Sequence, residues 1–292
     1  MAKQKFGARK HTKKKLDVLD DYLGFFPVAL KTKGYRLIYI DAFAGTGEVL
    51  LVESDEPLLP GIAPEQEKID GSAVRALRAT IPFDEYVFIE KSQSKLDKLA
   101  QELERQFPDR IDRCKFICDD ANAAIKDICK TTNWTNYRAV VFLDPFGNQI
   151  SWDTLEAIAQ TRAADLWYLF PAGLGVYRQI PKKGKTQSKA AQSVTRMLGS
   201  NEWMFLFTEQ TSTENLFGET EVNTQRAVSV EAITTHAISR LRTIFRGGVL
   251  DQYVSLGGKA VPWYSLLFAC SNPNDAAKTL AHRVAGWIVD HA

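Results

Sequence analysis

Residues 36–47 read RLIYIDAFAGTG. The first half is a short apolar run of Leu, Ile and Tyr closed by Asp41, the right length for a strand. Apolar residues on both sides of the strand alternation mean burial on both faces, the habit of parallel sheets. Gly45 and Gly47 follow with a turn at which backbone can approach a ligand closely. Upstream, Leu16, Leu19, Tyr22, Leu23 and Phe26 recur at helical spacing and predict an amphipathic helix over about 12–30. Pro27 falls near its end and Gly34 is a stop signal.

Downstream, residues 48–70 hold Pro57, Pro60, Gly61 and Pro64 among several acids and are expected to form a loop. A helix starts at about Gly71 with Ser72 as its N-cap. YVFIE (86–90), KFIC (115–118), AVVFLDPFG (139–147) and DLWYLFPAG (165–173) read as further buried strands, separated by helices at about 91–105, 121–130 and 152–162. Strands alternating with helices imply a parallel sheet with right-handed crossovers and helices on both faces. After a helix at 236–246, VLDQYVSL (249–256) and WYSLLFACS (263–271) are joined by a connection short enough for a hairpin. The expected fold is α/β, a doubly wound, Rossmann-like, mainly parallel sheet with a C-terminal antiparallel hairpin. The expected organisation is a basic tail and helix (1–35), a core (36–171), a charged insertion (172–235) and a helix-hairpin-helix end (236–292).

The 292 residues are 45% hydrophobic and 25% charged, values of a globular chain and not of a disordered one. No apolar run approaches the ~20 residues that span a bilayer. The N-terminus lacks the apolar centre of a secretory signal, so a soluble, cytoplasmic protein is expected. Cys114, Cys118, Cys129 and Cys270 fit neither a disulfide scaffold nor a zinc spacing, and no metal is expected.

Lys and Arg total 37 against 35 acids, but seven of the basic residues crowd into positions 1–15, including Lys13, Lys14 and Lys15. The remainder of the chain carries 30 against 35, a net of −5. A second basic island holds Arg178, Lys182, Lys183, Lys185, Lys189 and Arg196, and from Glu202 to residue 235 six Glu face only Arg226. Such segregation suits a protein that meets a polyanion with one face, with Lys13, Lys14, Lys15, Lys182, Lys183, Lys185 and Lys189 as phosphate contacts. A solvated tail and loop would give the same pattern.

In open α/β sheets ligands sit beyond the carboxyl ends of the strands, where strand order reverses. The informative residues therefore follow each strand. After the first come Asp41, Ala44, Gly45 and Gly47; the third glycine of a nicotinamide fingerprint is replaced by Leu50. After the second comes Glu90, an acceptor for ribose hydroxyls or a partner of a helix dipole. After the third come Asp120 and Asn122, ligand contacts or a helix cap. After the fourth comes Asp144-Pro145-Phe146-Gly147. There is no Pro-Cys pair, so the thiolate route to a carbon-methylated pyrimidine is not expected. Trp134, Trp152 and Trp167 are further candidates for stacking on bases, although most such aromatics are core.

D-x-F-x-G-x-G at 41–47 resembles motif I of S-adenosylmethionine-dependent methyltransferases, and the strand inventory resembles their class I fold. DPFG resembles motif IV of the amino-methyltransferases, with Phe146 where a second Pro is usual and Gly147 where the aromatic is usual. It is also similar to the tetrapeptide of tRNA guanine-N2 dimethyltransferases. The resemblance to methyltransferases in general implies that Asp120 receives the adenine amine of the cofactor, and the motif IV resemblance implies that Asp144 with a backbone carbonyl accepts from the amine being methylated. Over its length the chain resembles the three-Cys-motif partner protein family, TcmP. The resemblance rests on RKHTKKKLDVLDDYL, RLIYIDAFAGTGEV, GSAVRAL, FIEKS, FLDPFG and PWYSLLFACSNPNDAAKTL. It implies a methyltransferase-like fold and a three-Cys-motif protein partner, while the motif I resemblance implies an S-adenosylmethionine cofactor.

The function expected is methylation of a nitrogen of a nucleic-acid base, DNA or RNA. The alternative is a cofactor-binding subunit that serves the three-Cys partner and is not catalytic alone.

Overall fold

A computed structural model describes residues 10–52, 66–184, 186–214, 220–258 and 261–292. Its frame is a seven-stranded sheet. Five strands are parallel: β1 (Arg36–Asp41), β4 (Glu85–Ile89), β5 (Cys114–Ile117), β6 (Tyr137–Leu143) and β7 (Ala164–Phe170). β11 (Tyr264–Cys270) joins β7 antiparallel, and β10 (Val254–Leu256) closes that edge against β11. The order is β10-β11-β7-β6-β1-β4-β5, so strand order reverses between β1 and β6. That reversal opens a crevice at the carboxyl ends of β1 and β6.

Alternation along the strands splits the core in two. Ile38, Ile40, Val87, Ile89, Val141 and Leu143 face one layer, built on α4 (Ala121–Thr131), α5 (Trp152–Gln160), α6 (Ser188–Leu198) and α8 (Val230–Arg242). Leu37, Tyr39, Tyr86, Phe88, Val140 and Phe142 face the other, built on α1 (Lys10–Leu30), α2 (Ser72–Arg78), α3 (Gln93–Gln106) and α9 (Asp275–Asp290). Helices on both faces of a mainly parallel sheet are the doubly wound, class I methyltransferase-like architecture expected from the sequence.

Several local expectations change. The segment expected to be a loop carries strands at its two ends, β2 (Glu48–Val52) and β3 (Gln66–Asp70), paired antiparallel with Glu48 opposite Asp70; residues 53–65 lie outside the described ones. Prolines marked the middle of that segment and concealed strand at its ends. α2 begins at Ser72, with Gly71 in extended backbone at its cap position and Ser72 in its first turn. α1 runs on through Pro27 to Leu30. Of the expected strand at 249–256, only Val254–Leu256 pairs continuously, and Val249 makes a lone bridge to Ala269.

The charged stretch after β7 is not a solvated loop. It contains α6, a short helix α7 (Trp203–Leu206) and a hairpin of β8 (Thr208–Glu214) with β9 (Thr220–Arg226), and α8 already begins at Val230. Val194, Met197, Leu198, Trp203 and Phe207 bury their side chains in the core under the sheet. Lys185 and residues 1–9, with Lys3, Lys5 and Arg9, lie outside the described residues.

Candidate active site

β1 ends at Asp41, where the chain turns sharply. Asp41 is fully buried and accepts from the Phe43 N–H (3.1 Å) and the Tyr39 hydroxyl (3.3 Å). Burial raises its pKa to about 6, against the opposing hydrogen bonds from Ser72, Phe43 and Tyr39 and with the nearby Asp144 charge adding to the rise. These bonds hold the turn that follows, in which Gly45 and Gly47 both take positive φ, 64° and 82°. A Cβ on Gly45 would meet nothing within 4 Å, whereas one on Gly47 would sit 2.9 Å from the Leu99 side chain. The two glycines therefore have different tasks. Gly45 opens space, and Gly47 lets the β2–β3 hairpin pack down on α3, with its carbonyl accepting from Gly71 N–H at 2.8 Å.

Beside that turn lies a cavity of about 490 Å³ at the carboxyl ends of β1, β4, β5 and β6. Ala42, Phe43 and Gly45 form one wall, with Glu90, Asp119, Asp120, Asn122, Asp144, Phe146 and Gln149 around the rest. Lys91, Lys95 and Arg196 bring the cations. Of the candidates from the sequence, Gly45, Glu90, Asp120, Asn122, Asp144 and Phe146 share this space. Asp41, Ala44 and Gly47 do not line it and act behind the wall: the Ala44 N–H bonds to the Ile89 carbonyl (3.0 Å) and ties the turn to β4.

Glu90 follows β4 and is nearly buried, at 13% side-chain exposure. Its Oε1 accepts from Ser92 N–H (3.0 Å) and has Lys95 Nζ at 3.8 Å. Asp120 is the N-cap of α4 and accepts from both nitrogens of Asn122. Burial raises its pKa, but the Asn122 hydrogen bonds and the Lys91 ammonium at 3.6 Å outweigh it and hold the carboxyl below the usual range. Asn122 also donates to the Gln149 carbonyl, while its Oδ1 accepts from Ser151 N–H, the Ser151 hydroxyl and the Thr154 hydroxyl. Its amide is fully committed to joining α4 to the entry of α5. Asn122 thus braces the cavity floor while also lining the cavity.

The segment after β6 is stitched by its own side chains. Gln149 Oε1 accepts from Phe146 N–H (2.7 Å), Gly147 takes φ 78°, and Arg196 on α6 reaches the Asn148 carbonyl at 2.8 Å. This closed loop pushes the Phe146 ring outward to 87% exposure. A phenyl ring so placed at a cavity mouth forgoes burial worth about 2 kcal/mol. Trp134, Trp152 and Trp167 do none of this: Trp167 is core, Trp134 donates to the Cys129 carbonyl, and Trp152 lies under Arg240.

One basic residue is not where its charge run suggested. Lys13 and Lys14 are exposed on α1, as are Lys182, Lys183 and Lys189 farther along the chain. Lys15 is buried, and its Nζ pairs with Asp144 Oδ2 inside the site. Helical spacing carried the signal: Lys15 stands four residues before Leu19 and seven before Tyr22, on the apolar stripe. Lys91, Lys95, Gln149 and Arg196 carried no comparable signal as cavity residues. The cysteines are free, and among the described residues no group of three or more His, Cys, Asp or Glu could hold a metal ion. No described helix is long and apolar enough to cross a membrane.

No protein family matches the sequence, and no curated protein is similar to it. Solved structures are similar in shape. Trm1 from Pyrococcus horikoshii, solved with S-adenosyl-L-methionine, aligns with 88% of this chain at 12% identity and a TM-score of 0.46; the chain spans 54% of that protein. An S-adenosylmethionine-dependent methyltransferase from Clostridium acetobutylicum aligns with 88% of this chain and 91% of its own length, at 12% identity and a TM-score of 0.37. An rRNA methylase from Streptococcus thermophilus aligns with 72% of this chain and 94% of its own, at 11% identity and a TM-score of 0.30.

Proposed function

We propose that the chain is an S-adenosylmethionine-dependent methyltransferase that methylates a nitrogen of a nucleic-acid base. The observation that carries the reading is the grouping of Asp144 and the solvent-facing Phe146 in one cavity with Gly45, Glu90 and Asp120, at the reversal of strand order. The residues present suit the cofactor. The cavity lies within the roughly 300–1,000 Å³ of ordinary ligand sites. Open space beside Gly45 admits close backbone approach, Glu90 is placed for paired hydroxyls, and Asp120 is an ionised acceptor at the neighbouring strand end.

Bound there, S-adenosylmethionine supplies an electrophilic methyl group. The protein's share is placement. Asp144 accepts a hydrogen bond from the target amine and turns the nitrogen lone pair toward the methyl donor, and Phe146 stacks on the base that carries it. Holding two reactants in line in this way replaces a bimolecular encounter by a unimolecular one. A base inside a duplex must be flipped out first, at a cost of a few kcal/mol. Lys13, Lys14, Lys182, Lys183 and Lys189, exposed on the surface, are the proposed phosphate contacts, with Lys185 assigned to them from the sequence.

The resemblance to the three-Cys-motif partner family adds a protein partner to the proposal; transfer that appears only when the partner is added would make the chain a subunit and not a free-standing enzyme. Calorimetric titration with S-adenosylmethionine tests the site first. Micromolar binding by the wild type, lost in Glu90→Ala and kept in Asp144→Ala, is the expected result. No binding by the wild type overturns the reading.

A further inference from the structure

We infer that Lys15 is a positioning residue of the acceptor site, holding Asp144 by Oδ2 and so leaving Oδ1 for the incoming amine. The inference rests on the proposed methyl transfer and extends it to a helix that no strand-end motif includes.

Lys15 and Asp144 are 129 residues apart in the chain. Their contact is made by packing, not by proximity in sequence. The Lys15 side chain is 11% exposed and that of Asp144 26%, so water competes weakly for either. α1 is fixed at several points along its length. Leu16 and Leu19 are buried, Arg75 of α2 reaches Asp17 (2.8 Å) and Asp20 (3.5 Å), and Tyr22 OH donates to Asp165 at 2.6 Å. A helix so held cannot turn Lys15 out to solvent without giving up those contacts. Its ammonium is delivered to Asp144 as a structural consequence of the fold.

The other groups around Asp144 explain why a cation is placed there. Asp41 lies behind it, and the Asp144 charge adds to the rise in the Asp41 pKa that burial begins. Tyr39 and Tyr264, from β1 and β11, are raised first by burial and further by charges that include Asp144, with Arg178 opposing the rise at Tyr264. A carboxylate among a second carboxylate and two phenols needs a positive partner in contact, and a buried charge left without one is strongly destabilising. The pair also removes a degree of freedom. A carboxylate tied at one oxygen by a charge-assisted hydrogen bond cannot rotate freely, so the other oxygen meets the amine in a defined place. Freedom lost beforehand is not lost again in the transition state.

The test uses the full chain and four proteins: wild type, Lys15→Met, Lys15→Arg and Asp144→Asn. Lysine acetylation with acetic anhydride, read by peptide mass spectrometry, should find Lys15 protected in the wild type while Lys13 and Lys14 react. Asp144→Asn should expose Lys15 several-fold. In methyl-transfer kinetics on bulk tRNA and on duplex DNA, Lys15→Met should lower kcat by about 100-fold, the scale of a misplacement of about 1 Å. The KM for nucleic acid and the affinity for S-adenosylmethionine should stay within about twofold, and Lys15→Arg should restore most of kcat. A merely structural lysine would instead lower kcat and cofactor affinity together and raise the KM for nucleic acid. Should Lys15→Met fail to fold, Lys15→Gln carries the same expectation with a smaller loss. Full kcat in either neutral variant, or a wild-type Lys15 that reacts as fast as Lys13, overturns the inference and leaves the methyltransferase reading intact. A wild type that binds no S-adenosylmethionine and transfers no methyl group overturns both.

Discussion

Helix α1 meets a carboxylate at each end of the parallel sheet, and the two meetings differ in kind. At the carboxyl ends, Lys15 pairs with Asp144 on the wall of a polar cavity. Seven residues on, about 10 Å along the helix, Tyr22 donates to Asp165 at the opposite end of the sheet. That second carboxylate lines a cavity of about 520 Å³ walled by Phe25, Phe26, Leu30, Tyr35 and Leu280. Burial raises the Asp165 pKa there, and hydrogen bonds from Tyr22 and Cys270 oppose the rise. A carboxylate whose hydrogen bonds come from neutral donors, with Arg138 and Lys33 farther off on the same cavity, anchors a helix. One held by an ammonium on the wall of a polar cavity is, on the proposed function, equipped to meet a ligand. On the proposed function, the same helix joins a fastening to the carboxylate that meets the acceptor.

The strongest way to break this contrast is to remove each carboxylate in turn. Asp144→Ala should reduce methyl transfer by about 1,000-fold, the upper range for deleting one transition-state hydrogen bond, and should lower the thermal midpoint because it leaves the buried Lys15 ammonium unpaired. Asp144→Asn, which keeps an acceptor for Lys15, should lose transfer with a smaller drop in midpoint. If instead the midpoint collapses and activity survives in the folded fraction, Asp144 belongs with Asp165 as a fastening.

Asp41 sharpens the contrast, because it stands at the chemical end yet is buried like Asp165. Its folded pKa of about 6 lies above the ordinary 3.8, so the native state holds a proton that the unfolded chain releases earlier. The stability it contributes is therefore complete below about pH 4 and is lost as pH rises through about 6, by on the order of 3 kcal/mol. Urea denaturation across that window should show the decline in the wild type and a flatter profile in Asp41→Asn.

At the far end, Tyr22→Phe leaves the Asp165 carboxylate without its hydroxyl donor. Its unfolding free energy should fall by about 1–3 kcal/mol, with S-adenosylmethionine affinity unchanged in the same preparation. Loss of cofactor affinity in step with stability would show that the two ends of α1 are not separable. The smallest effect belongs to the surface. Replacing Lys182, Lys183 and Lys189 by Gln should flatten the salt dependence of nucleic-acid binding, by a log–log slope of about 1 for each lysine replaced, with kcat and stability unmoved. Equal salt slopes for the triple variant and the wild type would remove these residues from the interface.

Much of the frame was legible in the sequence because strand burial and helix periodicity are local properties. RLIYID, YVFI, AVVFL and the run through Leu166–Phe170 each announce a doubly buried strand, and the residues following them, Glu90, Asp120 and Asp144, meet in one cavity because parallel strands end together. The β2–β3 hairpin was hidden by prolines in its connection. The bracing role of Asn122 was hidden because an Asn after an N-cap looks the same whether it binds a ligand or a loop.

Sequence alone determined the sheet, the faces of its helices and the residue types available at the strand ends, since each follows from spacing along a few consecutive turns or strands. Tertiary structure alone decided which of those residues are spent and which are free. Asp41 and Asn122 are consumed by hydrogen bonds within the fold, Arg196 is brought to the cavity from α6, and Lys15 meets Asp144 across 129 positions. A lysine in a run of basic residues has no sequence mark telling solvent from carboxylate; the packing of the apolar stripe beside it decides, because burying Leu16, Leu19 and Tyr22 leaves Lys15 one direction to point.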